Sequence, residues 1–107
     1  MIARNEKVAN LIKELAAEFL GRENNRTSLI TVTSATASPD LKRATIFITV
    51  FPTSKEKDAL EFAKRKRPEL REFLKKNMTI KVIPFIEFAI DLGEKNRQKI
   101  DELFRNG

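Results

Sequence analysis

The chain has 107 residues, 41% of them hydrophobic, which is enough for one domain with a single core. It contains neither cysteine nor histidine, which excludes disulfides, thiolate catalysis, and the commonest metal ligand and general base. Its 21 Lys and Arg outnumber its 15 Asp and Glu, and an isoelectric point near 9.8 favours RNA, DNA or an acidic surface as partner. We therefore expect a binding protein without a cofactor or metal, not an enzyme.

The sequence also bears on where the protein works. No run of 18 apolar residues occurs, and the first ten residues lack the apolar core and cleavage site of a secretory signal. We expect a soluble cytoplasmic protein with no membrane partner.

The first predicted element is an amphipathic helix from Ala3 to Leu20, which we expect to stop at Gly21. A polar, Asn-rich loop follows over residues 22–28. The apolar residues of the helix recur at spacings of three and four, and they are Val8, Leu11, Ile12, Leu15, Ala16, Phe19 and Leu20.

A β-hairpin is predicted next. Its strands are Leu29–Ala37 and Lys42–Phe51, both rich in β-branched residues, and Pro39 favours a turn between them. The alternation of the second strand assigns one face to the core, namely Ala44, Ile46, Ile48 and Val50. Its other face carries Thr45, Phe47, Thr49 and Phe51.

Two helices joined at a proline follow the hairpin. Thr53 and Glu56 have the spacing of a capping box, so we expect the second helix to begin there. Pro68 lacks an N–H and disfavours helix at the residue before it, which predicts a joint, with the third helix starting at or after Pro68. The third helix carries a short apolar stripe, Leu70, Phe73 and Leu74.

The last predicted elements are a strand and a helix. Residues Thr79–Ile90 alternate, but Pro84 interrupts them, which argues for an edge strand or a bulge. A connection through two helices favours a strand parallel to the second. Asp91 has the position of a helix cap with Glu94 three residues on, and the helix would pack Ile100, Leu103 and Phe104.

Positive charge is concentrated at the helix joint. The segment Lys64–Lys76 holds seven of the 21 cations and two acids, a net of 7 − 2 = +5, whereas the rest of the chain has a net of +1. Each cation alone is explained by a solvated surface or a helix C-terminus. Arg71 and Lys75, however, form a like-charge i,i+4 pair that costs about 0.2–0.5 kcal/mol. This density predicts binding of a polyanion.

The candidate phosphate-binding residues are Lys64, Arg65, Lys66, Arg67, Arg71, Lys75 and Lys76. Lys42 and Arg43 extend the set, with an ordinary charged turn as the alternative. We expect Arg67 and Arg71 to be exposed and to contribute most, because arginine binds phosphate through two N–H groups and stacks on bases.

The order helix, strand, strand, helix, helix, strand resembles a type II KH domain. Local patterns resemble one family in particular, ribosome-binding factor A; they include Arg4-x-x-Lys7-Val8-Ala9, Ser38-Pro39-Asp40-Leu41 and Pro84-x-Ile86-x-Phe88-x-x-Asp91. The resemblance implies an α+β fold: one KH-like domain over residues 3–90, with a three-stranded mixed sheet and helices on one face. Residues 91–107 would form a short C-terminal helix or tail.

The resemblance also implies a function. Members of this family are non-enzymatic assembly factors of the bacterial small (30S) ribosomal subunit, which bind free or immature subunits through 16S rRNA and support rRNA end processing and cold adaptation. We expect a monomer. The family's Ala-x-Gly joint is replaced here by Lys66-Arg67-Pro68, which shifts the expected RNA contacts from backbone to side chains.

Three other functions remain open from the sequence. The first is a KH module for any single-stranded RNA or DNA, independent of the ribosome. The second is a protein-interaction module that uses a sheet face bearing Phe47, Phe51 and Phe85. The third is a nuclease built on Lys, Arg and carboxylates. Stacking of these phenylalanines on bases, as in RNA-recognition motifs, is disfavoured relative to packing against one another or a chain terminus. β propensity alone favours phenylalanine here, and the order of elements differs from that of the motif.

Overall fold

The computed structural model describes residues 3–23 and 28–94, and its elements follow the predicted order. A 3₁₀ turn, Thr53–Lys55, precedes the second helix. The elements are helix α1 (Arg4–Arg22), strands β1 (Leu29–Ala37) and β2 (Arg43–Phe51), helices α2 (Glu56–Arg65) and α3 (Arg67–Asn77), and strand β3 (Phe85–Ile90). This is the α+β order of a type II KH-like domain.

The sheet has β2 at its centre. β1 pairs antiparallel with β2, with Ala37 opposite Ala44 at the turn. β3 pairs parallel with the other side of β2, beginning with Phe85 opposite Arg43. The predicted hairpin and the parallel edge strand are both confirmed, and the two helices between β2 and β3 form the crossover that a parallel pair requires.

The helices cover one face of this sheet. All four predicted core residues of β2 are buried, and Ile46 and Ile48 are fully so. Leu70 and Leu74 of α3 are also fully buried, and burial of each such side chain stabilises the fold by about 1.5–3 kcal/mol. In α1 the predicted stripe is buried except for Leu11, which is 37% exposed. Alternation in β2 and the i,i+4 spacing in α3 thus direct the apolar side chains into one core.

Three predicted helix boundaries were wrong by a few residues. α1 continues through Gly21 to Arg22, because its backbone has no left-handed residue there and the Glu23 N–H donates to the Phe19 carbonyl (3.0 Å). α2 begins only at Glu56, after the 3₁₀ turn, so the capping box does not mark its first turn. α3 begins at Arg67, one residue before Pro68, since an N–H in a first turn has no partner within the helix and a proline there loses nothing.

The third strand is shorter than the alternating pattern suggested. Pro84 is fully buried and lacks an N–H, so pairing starts at Phe85, whose N–H donates to the Lys42 carbonyl (2.8 Å). The preceding residues are irregular, and Val82 is 72% exposed.

The beginning of the predicted C-terminal helix lies within the described part of the chain. The Asp91 carboxylate accepts a hydrogen bond from the Glu94 N–H (3.0 Å), as expected of a helix cap. The predicted contacts of Ile100, Leu103 and Phe104 lie outside the described residues, and the division into residues 3–90 and 91–107 stays a prediction.

Candidate nucleic-acid interface

The joint between α2 and α3 is a single residue, Lys66. Its N–H donates to the carbonyls of Phe62 (3.2 Å) and Ala63 (3.1 Å), and its carbonyl accepts from the Leu70 N–H (2.9 Å). The two helices are therefore hydrogen-bonded to the same residue from opposite sides. The joint is short and its backbone is held in place. The backbone positions of the cations on either side of it are therefore fixed as well.

A cleft of about 440 Å³ lies at this joint, between the two helices and the outer edge of β3. Its lining combines the C-terminal end of α2, the first turn of α3 and the start of β3, and among the described residues it includes four cations and no carboxylate. The lining residues are Lys64, Arg65, Arg67, Pro68, Arg71, Phe85 and Ile86. Four like charges in one concave site concentrate positive potential there. We call this site the joint cleft.

Arg67 is the best-positioned cation of the joint cleft. Its Nε donates to the Lys64 carbonyl (3.1 Å), and its Nη1 lies 3.4 Å from the Ile86 carbonyl of β3. Its guanidinium carbon lies 5.4 Å from the centre of the Phe85 ring, within the range of a cation–π contact. These contacts use two of the five guanidinium N–H groups and leave three for a ligand.

Arg71 lies one turn further along α3 and also bridges to the β3 side. Its Nη1 is 3.4 Å from the Ile83 carbonyl, just before the buried Pro84. The sequence led us to expect both arginines to be simply exposed. Arg71 is exposed, but Arg67 is half-buried. Arg67 holds α3 against the backbone of β3, and Arg71 holds it against the segment just before β3. This structural role was missed because no sequence pattern reports which carbonyls face a helix.

Three of the predicted cations of the Lys64–Lys76 segment do not line the joint cleft. Lys66 points towards the end of α1, where its Nζ is 3.5 Å from the Glu23 carboxylate and 5.9 Å from the Phe62 ring. Lys75 and Lys76 are exposed further along α3, and Lys75 lies 3.6 Å from Glu72. Although they are consecutive in sequence, Lys66 and Arg67 point in different directions.

The two remaining candidates, Lys42 and Arg43, lie at the start of β2. Arg43 is 3.8 Å from the Glu87 carboxylate of β3, a loose and solvent-exposed pair that is worth little. Lys42 is exposed and lines a different groove. Neither residue faces the joint cleft.

The aromatic residues of the open sheet face are not equivalent. Phe85 is 52% exposed and lies beside the cations of the joint cleft. Phe47 is half-buried, and Phe51 is 73% exposed at the far end of β2, opposite Leu29. Of the three, Phe85 alone lies beside the cations of the joint cleft, so the structure favours it as a stacking surface, although the sequence disfavoured stacking. The register that pairs Phe85 with Arg43 could not be read from the sequence.

Among residues 3–23 and 28–94, no cluster of three or more carboxylates suited to a metal ion occurs. Within the same residues, no helix combines the length and the apolar character needed to cross a membrane.

The fold and the joint cleft define a KH-like domain whose cleft is built from arginine and lysine side chains. The family model described as Ribosome-binding factor A matches residues 4–104. The chain belongs to the ribosome-binding factor A family, which confirms the resemblance seen in the sequence.

Individual relatives agree with this assignment. Ribosome-binding factor A of Paenarthrobacter aurescens is 37% identical over 106 residues, which cover 96% of this chain and 64% of that protein. The counterpart from Coxiella burnetii is 30% identical over 105 residues, covering 96% of this chain and 88% of the relative. The chain therefore spans less than two thirds of the length of the Paenarthrobacter protein.

Solved structures show the same fold. The crystal structure of ribosome-binding factor A from Thermus thermophilus aligns with a TM-score of 0.73 at 23% identity, covering 80% of this chain and 93% of that one. A homology model of the Thermus thermophilus factor, as fitted into a cryo-electron-microscopy map of a 30S complex, aligns with a TM-score of 0.70 at 22% identity, covering 83% and 93%.

Proposed function

We propose that this protein binds RNA of the small ribosomal subunit through the joint cleft and acts there as a non-enzymatic assembly factor. The observation that carries the proposal is the lining of that cleft, in which four cations converge on one concave site beside a half-exposed aromatic ring. Such a site has what single-stranded RNA needs, namely donors for phosphate oxygens and a surface on which a base can stack.

Side chains, not the backbone, make the phosphate contacts in this proposal. The first amides of a helix are free to bind an anion, but Pro68 removes one of them from the first turn of α3. Arg67 compensates, because its free N–H groups lie at the same place and its guanidinium is already oriented by two carbonyls. A guanidinium held in this way loses little rotamer freedom when it binds a phosphate.

The ribosomal partner is inferred from the family. Membership of the ribosome-binding factor A family, and the likeness to a structure fitted into a 30S complex, support the free small subunit and its 16S rRNA as the target. Assistance to rRNA end processing, action in cold adaptation, a monomeric state and a cytoplasmic location belong to the same proposal. Phosphate contacts position a protein without reading sequence, so the choice of site on the subunit comes from RNA shape.

The test is co-sedimentation of the purified protein with small subunits, large subunits and whole ribosomes over a salt series. Four phosphates neutralised by the joint cleft contribute about −3 to the slope of log affinity against log salt, which corresponds to a factor of about 50 in affinity between 50 and 200 mM salt. The double variant Lys64→Gln with Arg65→Gln should halve this contribution, a change in slope of about 1.4, so the factor due to the joint cleft becomes about 7.

A matched control removes the same charge elsewhere. Lys7 and Lys57 are exposed and lie outside the joint cleft, so the double variant Lys7→Gln with Lys57→Gln should keep the wild-type slope. If the two double variants changed the slope equally, binding would depend on the net charge of the protein and not on the joint cleft. Equal pelleting with both subunits would instead indicate a general module for single-stranded nucleic acid.

A further inference from the structure

A second groove, of about 790 Å³, lies next to the joint cleft. Three segments build it: the start of α1, the hairpin turn between β1 and β2, and the irregular stretch before Pro84. Its lining residues are Arg4, Asp40, Leu41, Lys42, Thr79, Ile80, Lys81, Val82 and Ile83. We call it the turn groove.

The hairpin turn gives the turn groove a fixed wall. The Leu41 N–H donates to the Ser38 carbonyl (2.9 Å), and Leu41 has a positive φ of 59°, a backbone state that non-glycine residues adopt only where a turn requires it. The Asp40 carboxylate accepts from the Ser38 hydroxyl (2.6 Å) and from the Lys42 N–H (3.1 Å). These hydrogen bonds, that of Ser38 first, hold the pKa of Asp40 below its ordinary value.

The start of α1 is held to the same turn. The Asn5 side-chain amide donates to the Ala37 carbonyl at the end of β1 (3.0 Å), which positions the adjacent Arg4 at the rim of the groove. On the other side, the Lys42 carbonyl accepts from the Phe85 N–H and so fixes the turn to β3. The three cationic segments of the groove therefore belong to one rigid framework.

The charge of the turn groove is positive. Arg4, Lys42 and Lys81 are exposed, and Asp40 is the one carboxylate among the described lining residues, so the local net charge is 3 − 1 = +2. Oxygen Oδ1 of Asp40 accepts the two hydrogen bonds of the turn. Within the described chain, the Asp40 carboxylate does not lie at ion-pair distance from any of the three cations. The three cations are therefore available to an anionic ligand.

The two grooves share a wall. Ile83 lines the turn groove while its carbonyl holds Arg71 of the joint cleft, and Phe85 of the joint cleft is hydrogen-bonded to Lys42 of the turn groove. Cations on both sides of this wall form one basic surface. Their chemistry differs, because the joint cleft includes an aromatic ring and the described lining of the turn groove has none.

We propose that the turn groove binds the phosphate backbone of the RNA segment that continues from the joint cleft, with Arg4, Lys42 and Lys81 as the contacts. This inference rests on the proposed RNA-binding function and extends it to a second site on the same strand. Bases stack in the joint cleft, whereas the turn groove holds only backbone, since phosphate needs cations and no aromatic surface. Occupancy of both grooves neutralises about seven phosphates and steepens the salt slope from about −3 to about −5.

The experiment compares two uridine oligomers by fluorescence anisotropy. One has about four nucleotides, the length that a KH cleft clamps, and the other about sixteen, which also reaches the turn groove. In the triple variant Arg4→Gln, Lys42→Gln and Lys81→Gln, affinity for the short oligomer should stay unchanged. For the long oligomer, the loss of affinity between 50 and 200 mM salt should be about 900-fold in the wild type and about 50-fold in the triple variant.

A control triple variant, Lys7→Gln, Lys13→Gln and Lys57→Gln, removes the same charge at positions outside both grooves. Its salt slope for the long oligomer should lie closer to that of the wild type than the slope of the Arg4, Lys42 and Lys81 variant does. An unchanged long-oligomer slope in the Arg4, Lys42 and Lys81 variant overturns the inference and leaves the joint cleft untouched. Normal RNA binding with lost subunit pelleting overturns it too, because the groove would then serve a protein. If the wild type shows no salt-dependent RNA binding, the proposed function itself is contradicted. Should the triple variant melt early, Lys42→Gln with Lys81→Gln gives the same comparison with a slope change of about 1.4.

Discussion

Replacement of Arg67 by lysine keeps the positive charge of the joint cleft but removes the oriented contacts of the guanidinium, so it tests the two contributions separately. A lysine keeps the positive charge, but its single ammonium group cannot donate to both the Lys64 and the Ile86 carbonyls while lying over the Phe85 ring. The Nε bond of 3.1 Å is worth about 1 kcal/mol, the 3.4 Å contact less, and the cation–π contact about 0.5–1 kcal/mol. With one contact retained by lysine, we expect a loss of about 1–1.5 kcal/mol in the free energy of unfolding.

Two assays check this variant. Thermal unfolding should show a midpoint about 5 °C lower, the shift expected of such a loss in a domain of this size. RNA binding should weaken about 2- to 5-fold at every salt concentration, with the salt slope unchanged, because charge is kept and the oriented fork is lost. A variant with wild-type affinity would refute the argument that an oriented guanidinium replaces the backbone clamp, and a reduced slope would show that charge had not been conserved at the phosphate.

Three further predictions concern stability and the sheet face. Leu70→Ala removes a fully buried side chain and should cost about 2–5 kcal/mol in urea unfolding, without a change in the salt slope of the folded protein. The lowered pKa of Asp40 means that its carboxylate stabilises the turn above its ordinary pKa and ceases to do so as pH falls through the lowered pKa. Asp40→Asn should therefore lower the melting temperature at neutral pH but leave it close to the wild type in strong acid. Phe51→Ser, at a 73% exposed position, should change neither stability nor subunit pelleting, and a loss of pelleting would favour the protein-interaction function.

Much of the fold was predictable because periodicity reports burial. The alternation in β2 gave the correct core face, and strand β1 was predicted with the bounds that the structure shows. Errors occurred where backbone hydrogen bonds decide the outcome. Gly21 lies inside α1 because nothing in the local structure requires a left-handed residue, and the alternation before Pro84 belongs to an irregular segment.

The candidate site was predictable as a region but not as a set of contacts. Charge density located the joint, and four of the seven cations predicted there line one cleft. The sequence could not show that Lys66 pairs with Glu23 at the end of α1, since that contact depends on the packing of α1 against the joint. Nor could it bring Arg4 and Lys81 to the same groove as Lys42, because 77 positions separate the first two along the chain and only the tertiary fold brings them together.

Under the proposed function, the arginines of the joint cleft link the stability of the sheet to RNA binding. β3 is an edge strand, and its outer carbonyls would be open to another strand if nothing covered them. Arg67 reaches the carbonyl of Ile86 in β3, and Arg71 reaches that of Ile83 just before the strand, so positive charge lies along that edge and its approach. A joint of small residues would let RNA approach the backbone closely, whereas this joint keeps the strand edge closed and presents guanidinium groups in its place. Loss of either arginine should therefore affect both folding and binding, which is why the exposed pair Lys64 and Arg65 gives the cleaner test of the RNA contact.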